Sequence, residues 1–288
     1  MSEFSRLCHV AGISSPMLLF IGGGNMASAL VHGCTTSGFA NSSEIAISCQ
    51  SKTTEGKWRD QGFEHVFISA ASMISRFPHG VVVLAVKPQS RYDVYHSLSS
   101  SSADLVQCPL LISILAGISI DVLQKELFEV GYEGPIVRLM PNVASAIGSG
   151  ASILCAAPNV RTVIIDIVEA LASKTGLCVE VNSSTFNAYG VISGSAPAWA
   201  YLFIESLADG AVLTGCSRDT AVKLAAQSLL GAAEMILASG EHPGALKDKV
   251  CSPGGTTIAG IRELEKSGFR SAVIEAVKAA TERADNMS

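Results

Sequence analysis

Between residues 17 and 180, short apolar runs rich in Val and Ile alternate with longer stretches whose apolar residues recur every three or four positions. Runs of this kind, bounded by turn residues, mark strands buried on both faces of a parallel sheet. The pattern predicts strands over 17–21, 44–48, 65–68, 81–85, 110–114, 136–139, 151–154 and 178–181, with helices between them. In one such helix Val160, Val163, Ile164, Ile167 and Leu171 share a face while Arg161, Asp166 and Glu169 take the other, so one side packs on the sheet. Beyond residue 181 the strand pattern stops, and long helical patterns over 197–213, 218–238 and 269–286 replace it. The chain therefore reads as an α/β domain with a parallel-rich sheet over 17–180, followed by an all-α domain over 181–288. Residues 1–16, with several serines and few basic residues, are expected to be a flexible extension.

One segment of the second domain changes this picture. Over 221–237 the helix is apolar around nearly its whole circumference, with Leu224, Leu229, Leu230, Met235 and Ile236 pointing in several directions. A lone helical domain could not cover it, which predicts a homodimer intertwined through the C-terminal helices. The composition agrees: 48% hydrophobic residues, 16% charged and a mean hydropathy of +0.39 are apolar for a chain of this pattern. The most apolar stretch, 198–213, is shorter than a bilayer span and carries Glu205 and Asp209, so no membrane is expected. A net charge of −5 without a Lys/Arg cluster excludes a phosphate-backbone footprint, so nucleic acid is not an expected partner. The eight cysteines lack C-x-x-C spacing and no secretory signal precedes them. Reduced thiols, no metal site and a cytoplasmic rather than mitochondrial location are expected.

The candidate chemistry begins after the first strand. Ile21-Gly22-Gly23-Gly24-Asn25-Met26-Ala27 gives G-x-G-x-x-A between a strand and a helix, the place where a dinucleotide pyrophosphate is held. Gly22 permits the tight turn, Gly24 allows close approach to the backbone, and Ala27 keeps the helix near the sheet. A plain turn is the alternative, and the flanking strand and helix argue against it. The first domain is thus Rossmann-type. After the second strand, where an NAD-binding loop places Asp or Glu, the sequence reads Cys49-Gln50-Ser51-Lys52. Hydroxyls and a cation suit a 2′-phosphate, so NADPH is the preferred cofactor and NADH a second one; Lys52 could equally just start a solvated helix. The loops Ala85-Val86-Lys87-Pro88 and Leu115-Ala116-Gly117 lie at strand carboxyl ends and are expected to line the nicotinamide half of the cleft.

The helical half holds two glycine and hydroxyl segments before predicted helices, Ile192-Ser193-Gly194-Ser195-Ala196-Pro197 and Cys251-Ser252-Pro253-Gly254-Gly255-Thr256-Thr257. Amides and hydroxyls at a helix start suit a small carboxylate, although an ordinary capping loop has the same composition. Together with Gly22-x-Gly24-Asn25-Met26, Ala85-Val86-Lys87-Pro88, Met140-Pro141-Asn142 and His242-Pro243-Gly244-x-Leu246-Lys247-Asp248, they occur in the order and spacing of the pyrroline-5-carboxylate reductases. The chain resembles that family over residues 17–285. The resemblance implies an NAD(P)H-binding Rossmann domain, a helical dimerisation domain that can assemble into larger rings such as a decamer, and reduction of 1-pyrroline-5-carboxylate to L-proline. It implies that the substrate lies near the Ser252–Thr257 loop; there the amides of Gly255, Thr256 and Thr257, with Ser252, are expected to hold the carboxylate and the Thr257 hydroxyl to hydrogen-bond the ring nitrogen, with Ser193 on the substrate side. The chain departs from the family at Gly190, Ala196 and Trp199, where threonine, glycine and tyrosine are usual, at Val143-Ala144, and at Ser72.

Other residues read as structural. His242 is expected to be a loop histidine, Glu205 and Asp209 a solvated or salt-bridged stripe, and Cys251 an inert thiol. Two other functions remain compatible with the architecture: a β-hydroxyacid dehydrogenase and a noncatalytic NADPH-binding regulator. The first would carry a lysine shortly after the second-domain glycine motif, whereas nothing charged follows Ser195 before Glu205.

Overall fold

The computed structural model describes residues 1–100 and 105–286, so four residues of the expected first domain and the last two of the second lie outside it. Eight strands form one sheet: β1 (Leu18–Ile21), β2 (Ile45–Ser48), β3 (His65–Phe67), β4 (Val81–Leu84), β5 (Leu111–Ser113), β6 (Ile136–Met140), β7 (Gly150–Ala156) and β8 (Gly176–Glu180). Each coincides with a run read from the apolar pattern. Their order is β3-β2-β1-β4-β5-β6-β7-β8, parallel throughout except for the antiparallel β6–β7 pair. The order reverses between β1 and β4, which creates the crevice where such sheets bind ligands. Ile21 is in register with both Ser48 and Leu84, so the loops after β1, β2 and β4 leave the sheet at one level.

Helices cover both faces because strand residues alternate sides. Leu18 and Phe20 of β1 pack in the layer with α2 (Asn25–Thr36) and α7 (Thr162–Ser173), while Leu19 and Ile21 face the layer of α4 (Ala70–Arg76), α5 (Arg91–Ser99) and α6 (Ile120–Phe128). The short helix α3 (Lys52–Asp60) follows β2. The expectation of a flexible N-terminus is corrected: residues Glu3–Val10 form helix α1, capped by Ser2. Phe4 and Cys8, one turn apart, are fully buried against the α2/α7 layer. Glu3 pairs with Lys174 at 2.8 Å and Arg161 donates to the Ala11 carbonyl at 2.7 Å. The sequence signal of this helix is the Phe4, Leu7, Cys8, Ala11 spacing, which puts one apolar face on it.

The chain divides into two compact units after Gly194, with the end of the last helix from Thr281 joining the first unit. By packing, the sheet unit extends past residue 180 for a physical reason. The short helix α8 (Phe186–Gly190) remains part of the sheet unit: the Phe186 ring is buried beneath the Arg138 guanidinium at 4.0 Å, and Asn187 donates to Asp285 at 2.9 Å. The second unit comprises α9 (Ala196–Leu213), α10 (Arg218–Ser239), α11 (Pro243–Val250), α12 (Thr256–Lys266) and most of α13 (Phe269–Asp285). On α10 only Ala221 and Ala225 are buried, while Leu224 is 64% exposed and Leu237 77%. Among the described residues α10 is the one helix long and apolar enough to cross a membrane by length and composition. Open apolar surface of this extent marks an interaction face.

Candidate active site

The glycine loop is specified by contacts that a side chain would destroy. Gly22 has φ +109, and a Cβ there would stand 2.5 Å from the Ala85 carbonyl oxygen. Gly23 rests on the Trp58 indole, whose Nε1 donates to the Gly23 carbonyl at 3.2 Å, and on the Cys49 thiol. At Gly24, by contrast, nothing lies within 4 Å of a Cβ position. Gly24 is the N-cap of α2 and offers no side-chain cap, and the first turn carries no acid. The helix therefore presents bare amides and the positive end of its dipole to open space, an arrangement that holds a pyrophosphate. Ala27 is fully buried, as close helix packing requires.

Gly22, Gly24, Ser51, Ala85, Val86 and Lys87 line a cleft of about 500 Å3 across the β1/β4 crevice. A smaller cavity of about 200 Å3, with Ile21, Cys49, Gln50 and Ile68 in its wall, adjoins it. The Cys49 thiol is buried, and burial first, with Glu55 second, pushes its pKa up to about 11, so it is a neutral wall. Ser51 caps α3, its Oγ accepting from the Thr54 amide at 3.2 Å. Glu55, in the first turn of α3, is held by Arg59 at 2.9 Å. With that carboxylate paired, Lys52 at the helix start leaves this end of the cleft suited to an added phosphate.

The loop after β4 and the start of α5 are tied to α6 by a pair that the sequence reading did not single out. Arg91 pairs bidentately with Glu126 of α6 at 2.8 Å and also donates to the Pro88 carbonyl at 2.9 Å. The guanidinium lies 4.0 Å above the Tyr92 ring. The Arg91 hydrogen bond leads the causes that hold the Glu126 carboxyl below the usual range. Lys87 stays exposed ahead of the Pro88 turn, Leu115 is buried, and Ala116 is exposed at the following turn.

Asn142 of the Met140-Pro141-Asn142 motif is a second such anchor. Its Oδ1 accepts from the amides of Ala144 at 3.2 Å and Ala151 at 3.3 Å, while Nδ2 donates to the Ser193 carbonyl at 2.8 Å. Residues Val191–Ser195 form a π-helical turn, a form often found at functional sites. Ser193 itself is buried, its hydroxyl 3.4 Å from the Gly190 carbonyl. Gly190 stands where the family usually has threonine, and the Met140 sulfur lies 2.9 Å from its Cβ position, so Met140 fills the space that side chain would take.

In the helical unit the Ser252 segment forms a turn: the Gly255 amide donates to the Ser252 carbonyl at 3.0 Å, with Pro253 next and Gly254 at φ +70. Proline followed by a left-handed glycine is the type II combination. Gly255 is the N-cap of α12 and supplies no side-chain cap, so the amides at the start of α12 are open to an anion, with the Ser252 hydroxyl folded over Gly255. Thr257 is half-buried in the first turn of α12. His242 caps α11, its Nδ1 accepting from the Gly244 amide at 3.1 Å, a structural role as its loop position suggested. Asp209 pairs with Arg218 at 2.5 Å, and Cys251 is half-buried.

A switch-point sheet, an open glycine loop and a helical second unit define the class of Rossmann dinucleotide-dependent oxidoreductases. Residues 18–117 match the family model described as NADP oxidoreductase coenzyme F420-dependent, and residues 183–287 match pyrroline-5-carboxylate reductase dimerisation. The chain is 45% identical to the putative pyrroline-5-carboxylate reductase 4 of Caenorhabditis elegans over 94% of its own length and 93% of the relative's. The solved structure of a pyrroline-5-carboxylate reductase from Coxiella burnetii matches at a TM-score of 0.83 and 31% identity, covering 96% of this chain and 99% of that one. The Plasmodium falciparum pyrroline carboxylate reductase, solved with NADP bound, matches at 0.80 and 32% identity over 94% and 97% of the two chains. This chain belongs to the pyrroline-5-carboxylate reductase family. Its open α10 surface lies within the matched dimerisation region, and the chain is a homo-oligomer.

Proposed function

We propose that this chain reduces 1-pyrroline-5-carboxylate to L-proline, with NADPH as the preferred donor and NADH as a second one. The open, uncapped start of α12 behind the Ser252 turn, in a member of this family, is the observation that carries the reading. The glycine loop, with its free space over Gly24 and bare α2 amides, fits a dinucleotide held by Gly22, Gly23, Gly24, Asn25 and Met26. The paired Glu55 and the Ser51-Lys52 helix start favour a 2′-phosphate. A bound nicotinamide supplies the hydride for the C=N carbon.

The chain's own part is binding, orientation and proton delivery. The amides of Gly255, Thr256 and Thr257, with the Ser252 hydroxyl, hold the substrate carboxylate, where the α12 dipole favours negative charge. The Thr257 hydroxyl donates to the ring nitrogen and relays a proton from water, because a threonine hydroxyl is too weak an acid to act alone. Ser193 lines the substrate side through the π-turn that Asn142 braces. The working unit is a dimer through the C-terminal helices, assembled into a larger ring such as a decamer and located in the cytoplasm. Replacing Thr257 by alanine lowers kcat/KM for 1-pyrroline-5-carboxylate about a hundredfold, the lower end of what one positioned proton-transfer group contributes, and leaves NADPH affinity unchanged. Wild-type kcat/KM in this variant would refute the role.

A further inference from the structure

We infer that Trp58 is a positioning residue for the cofactor loop, and that Gly23 is glycine because this indole lies beneath it. The inference rests on the NAD(P)H reading above. Trp58 sits on α3, thirty-five residues from Gly23, and only 3% of it is exposed. Its Nε1 donates to the Gly23 carbonyl at 3.2 Å. The ring cannot swing away, because His32 of α2 stacks on it at 5.7 Å and 20°, and Phe63 meets its edge at 5.1 Å and 82°.

Geometry gives this contact a consequence for binding. A peptide unit has its carbonyl and the following amide on opposite sides. Drawing the Gly23 carbonyl toward the core indole therefore turns the Gly24 amide outward, toward the open space over the α2 N-terminus. The loop is held in its anion-receiving orientation before any ligand arrives, which lowers the ordering cost of binding. Gly23 and Trp58 also specify each other sterically. A methyl on residue 23 would stand 2.6 Å from Trp58 Nε1 and 2.7 Å from the Cys49 sulfur, and the packed indole cannot yield. Any larger residue at 23 lifts the loop off its support.

The test measures NADPH affinity by calorimetry together with steady-state kinetics on the full-length protein. Trp58→Phe keeps an aromatic ring between His32 and Phe63 but deletes the donor. The expected result is a threefold to tenfold rise in Kd and KM for NADPH, with kcat at saturating NADPH and KM for the imine within twofold of wild type. A purely structural role would lower thermal stability and kcat without this split. Gly23→Ala raises the NADPH Kd at least tenfold, and Trp58→Phe added to it costs no more than a further twofold, since the loop has already left the indole. If wild-type protein binds no NADPH, the cofactor reading itself fails and this inference with it. If wild type binds and Trp58→Phe leaves the affinity unchanged, or the two losses are additive, the inference alone is overturned.

Discussion

Two glycines separated by one residue should respond to alanine in opposite ways. At Gly22 the methyl group would have to occupy φ +109 and approach the Ala85 carbonyl oxygen to 2.5 Å and its carbon to 2.8 Å. Ala85 cannot retreat, because its amide donates to Ile21 at 2.8 Å and β4 is paired to β1 along its length. A left-handed backbone costs about 1–2 kcal/mol for a residue with a Cβ, and an overpacked methyl adds about 1–3 kcal/mol. Gly22→Ala should therefore lose about 2–5 kcal/mol, a large share of the roughly 5–15 kcal/mol that stabilises a domain. At Gly24 the backbone lies at φ −79 and nothing stands within 4 Å, so Gly24→Ala should be neutral or gain about 0.4–1 kcal/mol by restricting the unfolded chain. Both variants should bind NADPH at least tenfold more weakly, the first because the loop moves and the second because the methyl fills the pyrophosphate space. Urea unfolding monitored by circular dichroism, with NADPH titrations on each variant, separates the outcomes. Equal destabilisation by the two substitutions, or full NADPH affinity in Gly24→Ala, would refute the reasoning.

Three further outcomes are expected. Glu126→Gln weakens the clamp on Pro88 and should cost about 1.5–3 kcal/mol at neutral pH, the range for hydrogen bonds between charged groups. Because Arg91 lowers the folded-state pKa of Glu126, that stabilisation is complete above the ordinary glutamate value near pH ~4.3 and disappears as pH falls through the depressed value. Denaturation of wild type and variant should accordingly converge below about pH 4 and differ by a constant amount from pH 5 to 7; a gap that widens in acid contradicts the assignment. Burial pushes the Cys8 and Cys34 thiols up to about 12, so a disulfide reagent at pH 8 should leave both unmodified in native protein while labelling exposed Cys216, and should reach all eight only after denaturation. Phe4→Ala should destabilise by about 3–5 kcal/mol, as deletion of a fully buried aromatic does, and calorimetry of a chain lacking residues 1–16 should show the same direction.

What the sequence disclosed and concealed follows from the range of the interactions involved. The eight strands were legible because parallel strands buried on both faces need unbroken Val and Ile runs, and β4 (Val81–Leu84) is one without a polar residue. The glycine loop was legible because its constraint is local backbone geometry. Helix α1 is legible too, with Ser2 as cap and Phe4 and Cys8 on one face, but its stability comes from packing against α2 and α7, which lie farther along the chain. The boundary after Gly194 depended on Phe186 reaching Arg138 and Asn142 reaching Ser193, contacts across 48 and 51 residues that no local window contains. Trp58 and Arg91 are silent in the sequence for the same reason: an indole on α3 and a guanidinium on α5 acquire their roles only when the sheet brings other loops beside them.

The central claim is tested most directly by incubating the purified chain with NADPH and 1-pyrroline-5-carboxylate and measuring cofactor oxidation together with proline formed. The account predicts one proline for each NADPH oxidised, with NADH supporting the same reaction at lower kcat/KM. NADPH that binds tightly while no proline appears would contradict it and mark the chain as a noncatalytic binder within the family.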